Sequence, residues 1–257
     1  MDIIKSIIKK KEVADIMNLQ LVFQRKEYKR EALKKLKGRW STPVIANLIT
    51  LLLFYFLSVP VIGSSLGDIT GSFSPNSNVI VYSHQQGSNS TSFIISIIEF
   101  FITGVLTIAS ANLYITLDKT QEKLSLSTWF TGFAYWLNGF LGQILISVFV
   151  FLWSLLLIFP GIIKALSYSQ MFYILAENPD VGVFQALKLS KKMTNGYKGK
   201  LFTMYLSFIG WDVLCILTGG ILALWIVPYK NMSFTIAYQE LKQNALYTGS
   251  IRAEELV

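Results

Sequence analysis

Residues 30–62, REALKKLKGRWSTPVIANLITLLLFYFLSVPVI, join a basic segment directly to a long apolar run. No charged residue occurs between positions 44 and 62. A helix over 44–62 would be about 28 Å long at a rise of about 1.5 Å per residue, close to the roughly 30 Å hydrocarbon core of a bilayer. Basic flanks of such helices stay in the cytoplasm. This stretch therefore predicts a membrane-crossing helix with its basic end inside.

The same alternation of basic and apolar sequence runs through the whole chain. Of the 23 lysines and arginines, 12 lie in residues 1–43 and five in 177–200, whereas residues 63–99 contain none. Apolar residues make up 53% of the chain and charged residues 15%, against about 25% charged in soluble domains. We interpret the chain as an integral membrane protein, with anionic lipid headgroups as a better partner for its positive charge than nucleic acid.

The apolar runs predict an all-α, polytopic bundle with about six transmembrane helices. Residues 1–43 form a basic cytoplasmic segment, residues 63–92 an exterior loop without lysine or arginine, and residues 240–257 a cytoplasmic tail. The run at 161–177 is short for a span, but the lysines that follow it must lie inside. The predicted spans are 44–62, 93–117, 137–159, 161–177, 201–218 and 220–239.

An amphipathic helix is predicted on the cytoplasmic side over residues 179–195. Asn178 would cap its start, and Pro179 would occupy its first turn. Five lysines on and after this helix serve as topology determinants in the plainer interpretation. In the alternative interpretation they bind anionic lipid or an acidic partner. These lysines are Lys188, Lys191, Lys192, Lys198 and Lys200.

Four ionisable residues fall in or near the predicted hydrocarbon region: Glu99, Lys164, Asp212 and Lys230. Each costs about 2.5 to 3.5 kcal/mol there unless it is paired, hydrated or near a helix end. Two neutralising pairs are possible, Glu99 with Lys164 and Asp212 with Lys230. One hypothesis is a polar intramembrane site for a proton or charged solute, and the other is that the charges are satisfied in place. Further candidates for lining such a site are Tyr168, Tyr229 and Asn231, together with Asn112, Gln143 and Gln170.

Sequence motifs give little support to enzymatic chemistry. The one histidine, His84, lies in the predicted exterior loop, and the one cysteine, Cys215, lies in an apolar run. No HExxH or GxxxxGK[ST] motif occurs. We therefore expect no catalytic residues, no metal and no cofactor.

Several short motifs resemble those of a bacterial membrane family, domain-of-unknown-function family 975. The resemblance covers roughly residues 25–242, and it implies a cytoplasmic-membrane protein without an established activity. Its motifs are REALKKLKGRW at 30–40, FPGIIK at 159–164 with Tyr168, ENPD at 177–180, ALKLSKK at 186–192 and LSFIGW at 206–211.

Two functions follow from these patterns. The first is a non-enzymatic accessory or scaffold protein acting through lipid and protein contacts. The alternative is a small transporter or channel-like protein with a polar intramembrane site. A protein partner or a homo-oligomer is compatible with both.

Overall fold

The computed structural model describes residues 23–71, 88–156 and 158–256, without the side chains of 58–71, 88–92, 156 and 158. These residues form helices and no strand, so the all-α prediction is confirmed. Most of the basic N-terminal segment and the centre of the predicted exterior loop lie outside the described residues. The α-helices are α1 Arg25–Leu36, α2 Ser41–Gly71, α3 Ser88–Lys119, α4 Ser127–Thr131, α5 Trp136–Leu156, α6 Ile158–Tyr168, α7 Met171–Glu177, α8 Val183–Met193, α9 Lys198–Leu217 and α10 Ala223–Tyr247, with 3-10 turns at Gly132–Tyr135 and Ala253–Leu256.

Among the described residues, three helical segments are long and apolar enough to cross a membrane: Phe93–Lys119, Ser127–Leu155 and Lys198–Leu217. A fourth exists if Arg25–Leu36 and Ser41–Leu57, which meet at 100°, count as one broken span. The described residues are thus compatible with a membrane protein, and the count of six spans stays a prediction. Helix also extends into both ends of the predicted exterior loop, since α2 continues to Gly71 and α3 begins at Ser88.

Glycines bring α3 and α5 into backbone contact. A Cβ atom built on Gly139 would lie 2.7 Å from the carbonyl oxygen of Gly104, and Gly132 packs directly on Ala109. Small residues allow membrane helices to approach this closely. Because of these contacts, α4, the 3-10 turn and α5 together run antiparallel to α3.

The segment predicted as a single span over 161–177 is two helices. α6 ends at Tyr168 and α7 begins at Met171. At the break, the Ser190 hydroxyl of α8 donates to the carbonyl oxygen of Ser167 (2.8 Å) and accepts from the backbone N–H of Gln170 (3.2 Å). A side chain from α8 thereby replaces the hydrogen bonds that the interrupted helix lacks.

The predicted cap of the amphipathic helix is also wrong. Asn178 closes α7, because its backbone N–H donates to the carbonyl oxygen of Ile174 at 2.8 Å. α8 begins only at Val183, after an extended Gly182, and ends at Met193. Its apolar face is buried as predicted, and its lysines are exposed.

One end of the bundle, which we call the basic end, is held by contacts between distant segments. Arg39, just before α2, donates to the carbonyl oxygen of Leu117 near the end of α3 (3.1 Å). Glu177, the last residue of α7, binds Lys119 of α3 at 2.6 Å and Lys242 of α10 at 2.8 Å. The start of α2, the ends of α3 and α7, and Lys242 therefore lie at one level.

α10 crosses α2 obliquely. The Asn47 amide donates to the carbonyl oxygen of Ala223 at 2.9 Å. With about 1.5 Å per residue, Ala223 is about 28 Å along α10 from Lys242, whereas Asn47 lies only about 12 Å beyond Arg39. Antiparallel helices with level ends would bring together residues equally far from those ends. The predicted sixth span is therefore inclined to α2 and does not lie alongside it.

Candidate functional site: a neutral polar cavity and its charged neighbours

A cavity of about 310 Å³ opens between helices from both halves of the chain. It combines hydroxyl, phenol and amide groups with apolar side chains, and none of its described lining residues is charged. Its size is at the lower end of small-ligand sites, which are roughly 300 to 1,000 Å³. The lining residues are Thr50 and Phe54 of α2; Thr103, Leu106, Thr107, Ser110, Ala111 and Tyr114 of α3; Ser169, Phe172 and Tyr173 at the α6–α7 break; Tyr205 of α9; and Asn231 of α10.

The threonine hydroxyls in this wall present acceptors. Thr50 donates to the carbonyl oxygen of Ala46 (2.9 Å), Thr103 to that of Glu99 (2.7 Å) and Thr107 to that of Thr103 (2.7 Å). Each hydroxyl proton is thus engaged within its own helix, which leaves the oxygen lone pairs for a ligand. This wall suits an uncharged hydrogen-bond donor.

Two tyrosines tie the cavity to α10. The Tyr114 phenol lies near the Asn231 side chain, and the Tyr173 phenol lies near the Thr235 side chain. The Tyr173 ring also stacks on Tyr238, with 5.2 Å between centroids. Both cavity phenols therefore lie against α10.

Asp212 and Lys230 form the predicted ion pair outside this cavity. The Lys230 ammonium contacts both carboxylate oxygens, at 3.1 and 2.8 Å, and lies 6.0 Å from the centroid of the Phe208 ring. The two side chains are 45% and 26% exposed. α1 adds Lys29, whose Nζ lies 3.8 Å from the same Phe208 centroid and donates to the Ser207 carbonyl oxygen at 2.9 Å. The opposite charges of Asp212 and Lys230 therefore neutralise each other at this position.

The second predicted pair is wrong, because no ion pair joins Glu99 and Lys164. The Lys164 ammonium lies 4.1 Å from the centroid of Trp153, on the adjacent arm of the α5–α6 hairpin. The positive charges of Lys191 and Lys198 act on it, so it lies toward the basic lysines and not with Glu99. A cation over an indole ring gains attraction without a carboxylate.

Of the predicted site residues Tyr168, Tyr229 and Asn231, only one lines the cavity. Asn231 lines it, whereas Tyr168 is buried against Phe149 and Tyr229 packs edge-on against Phe208. The missed polar lining residues are hydroxyl side chains and tyrosines on four helices and at the α6–α7 break. On α3, Thr103, Thr107, Ser110 and Tyr114 recur at helical spacing, and this polar stripe is the one signal of the cavity in the sequence.

Sequence reasoning also missed the carboxylate of Glu177, whose side chain is 7% exposed. Tyr238 donates to it at 2.6 Å, in addition to the two lysines. Burial alone would raise the pKa of Glu177, but the hydrogen bonds from Lys119, Lys242 and Tyr238 outweigh it and lower the pKa to about 2. Glu177 thus stays ionised and joins three helices at the basic end.

The protein family of unknown function DUF975 matches residues 17–167 and 155–245 of the chain. The chain belongs to the DUF975 family. No curated protein and no solved structure matches the chain significantly. The family membership confirms the resemblance seen in the sequence motifs, and it assigns no activity.

In the DUF975 protein, four of the five lysines predicted on and after the amphipathic helix have no ion-pair partner among the described residues: Lys188, Lys191, Lys198 and Lys200. Lys192 binds Glu255 at 2.7 Å. Positive charge without a carboxylate partner is therefore concentrated where α8 ends and α9 begins.

The described residues contain no group of three or more histidine, cysteine, aspartate or glutamate side chains arranged to hold a metal ion.

Proposed function

We propose that this DUF975 protein is a non-enzymatic accessory or scaffold protein of the bacterial cytoplasmic membrane, acting through lipid and protein contacts. The observation that carries the proposal is that the charged side chains of the predicted intramembrane site do not line the cavity. Asp212 and Lys230 neutralise each other on the flank of the bundle, and Lys164 lies over Trp153. No charged side chain is available at the described cavity wall to move a proton or hold a charged solute.

The outer surface supports a role in contacts with lipid. Large apolar side chains stand exposed on several helices, among them Phe56 of α2, Phe151 of α5 and Ile216 of α9, which are 68%, 62% and 78% exposed. Patches of this kind mark membrane or protein interaction surfaces. We propose a multi-pass topology with both termini in the cytoplasm.

Proton flux into liposomes tests this proposal. Purified protein is reconstituted with a pH-sensitive dye inside the vesicles, and an Asp212→Asn variant is measured beside the wild type. We expect wild-type vesicles to match protein-free vesicles. A wild-type flux that Asp212→Asn abolishes would establish a proton pathway and overturn the proposal.

The acceptor-rich cavity favours one second candidate, transport of a small uncharged solute with hydrogen-bond donors. Osmotic swelling of proteoliposomes in glycerol or urea measures it. A Ser110→Leu variant would fill part of the cavity, since Ser110 lines it. Faster swelling in the wild type than in this variant would favour the transporter, whereas equal swelling in wild-type, variant and empty vesicles would favour the scaffold.

A further inference from the structure

A second polar cleft lies at the basic end, and we propose that it binds a phosphate group, either as free inorganic phosphate or as the headgroup of an anionic phospholipid. The cleft has a volume of about 310 Å³ and lies between the end of α8, the start of α9 and the end of α10. The residues that carry the argument are Lys192, Asn195, Tyr197, Lys200, Asn244 and Ser250.

The cleft carries uncompensated positive charge. Lys200 has no carboxylate within ion-pair distance among the described residues, and its ammonium stands 5.4 Å from the centroid of the Tyr197 ring. Lys192 shares its charge with Glu255, at 2.7 and 3.1 Å. That pair is exposed, so it is weak and open to exchange with another anion. Lys198, which lies in sequence between the lining residues Tyr197 and Lys200, is also without an ion-pair partner in the described chain.

Neutral donors in the cleft suit an anion with several oxygens. The Tyr197 hydroxyl accepts a hydrogen bond from the Asn244 amide at 3.2 Å. Its own proton is donated to no residue that the structure describes, so it is available to a ligand. The donors stand on three separate elements around the opening. A tetrahedral phosphate, whose oxygens point in different directions, uses such a set more fully than a planar carboxylate does.

The cleft also lies at the depth where headgroups are expected. α9 begins at Lys198, and its apolar sequence follows from Leu201. Lysines at the boundary of an apolar helix attract anionic headgroups. The lipid form of this proposal rests on the proposed function, that of a membrane protein acting through lipid contacts.

Binding to lipids of defined composition tests the cleft. Full-length protein is placed in nanodiscs of phosphatidylcholine alone or of an equal mixture with phosphatidylglycerol, and the lipid retained after detergent extraction is measured by native mass spectrometry. In a separate arm, thermal unfolding in neutral detergent is followed with added inorganic phosphate or chloride. The variants are Lys200→Gln in the cleft and Lys188→Gln as a matched control, since Lys188 is exposed on α8 and outside the cleft.

We expect Lys200→Gln to weaken retention of phosphatidylglycerol about tenfold, as expected for loss of a charge-assisted hydrogen bond, and Lys188→Gln to weaken it less than twofold. Lys200→Arg should restore retention. Stabilisation by phosphate over chloride that depends on Lys200 would support free phosphate as the source, and lipid retention without it would support the headgroup. The proposal that the cleft binds phosphate would be overturned by equal effects of the two glutamine variants. It would also be overturned if the wild type neither retained phosphatidylglycerol nor gained stability with phosphate. A proton flux would instead overturn the proposed function, because that assay does not depend on anion binding.

Discussion

The hydroxyl of Tyr238 on α10 donates a hydrogen bond of 2.6 Å to the carboxylate of Glu177 at the end of α7. The same carboxylate binds Lys119 and Lys242. One side chain therefore connects α3, α7 and α10 at the basic end. Because α10 also contributes Asn231 to the wall of the neutral cavity and stacks Tyr238 on Tyr173, this connection supports that wall.

Replacing Glu177 with Gln should destabilise the protein by about 2 to 3 kcal/mol, because it removes one partner of a largely buried charge cluster. The 54% exposure of Lys119 keeps the effect below that of a fully buried pair. Chemical denaturation in detergent, followed by tryptophan fluorescence, measures the change. Glu27→Gln is the control, since it disrupts only an exposed ion pair with Arg30. A loss no larger than that of the control would contradict the connecting role.

Stability should also fall in acid through Glu177. Its pKa is lowered from 4.5 to about 2 in the folded protein. The unfolded chain therefore binds this proton first, and the stabilisation is present above pH 4.5 and disappears as the pH falls toward 2. Denaturation curves across this range should show a smaller acid-induced loss for Glu177→Gln than for wild type. Parallel losses in the two proteins would be inconsistent with ionisation of Glu177.

The contact between α3 and α5 should tolerate no side chain at Gly104. A Cβ atom there would collide with the backbone of Gly139, so Gly104→Val should separate the helices and lower the free energy of unfolding by at least about 2 kcal/mol. Gly210→Ala in α9 is the matched control, because a Cβ atom at Gly210 meets nothing within 4 Å. The control should leave stability unchanged or raise it by up to about 1 kcal/mol. Similar stability of Gly104→Val and the control would refute the close packing.

The sequence predicted the all-α class and the apolar runs of α3 and α5, because hydrophobic length is a local property. It also predicted the contact of Asp212 with Lys230, since unpaired charge is unfavourable in an apolar surrounding. The inclination of α10 is seen in the bond from Asn47 to Ala223, between residues 176 positions apart. Such contacts leave no trace in composition or spacing.

The break between α6 and α7 was missed for a related reason. Ser169 and Gln170 are compatible with helix, and the interruption is satisfied by Ser190 from another helix. The cavity was missed because its polar groups are neutral and common. The charged residues that stand out in the apolar sequence do not line the cavity. They are Asp212, Lys230, Glu99 and Lys164.

Cysteine labelling tests the predicted orientation. In a Cys215→Ser background, His84→Cys should react with a membrane-impermeant maleimide in intact cells, because the predicted exterior loop lacks lysine and arginine. Gln243→Cys near the end of α10 should react only after the cells are permeabilised. The opposite labelling pattern would reverse the orientation, and labelling of both sites in intact cells would exclude a shared cytoplasmic side for the two termini.

The current across a planar bilayer that contains the purified protein tests the central claim most directly. If Asp212 and Lys230 only neutralise each other, the current should equal that of a protein-free bilayer at every voltage, for wild type and for Asp212→Asn. Discrete current steps in the wild type that disappear in Asp212→Asn or Lys230→Gln would contradict this account and identify the pair as part of a conducting path.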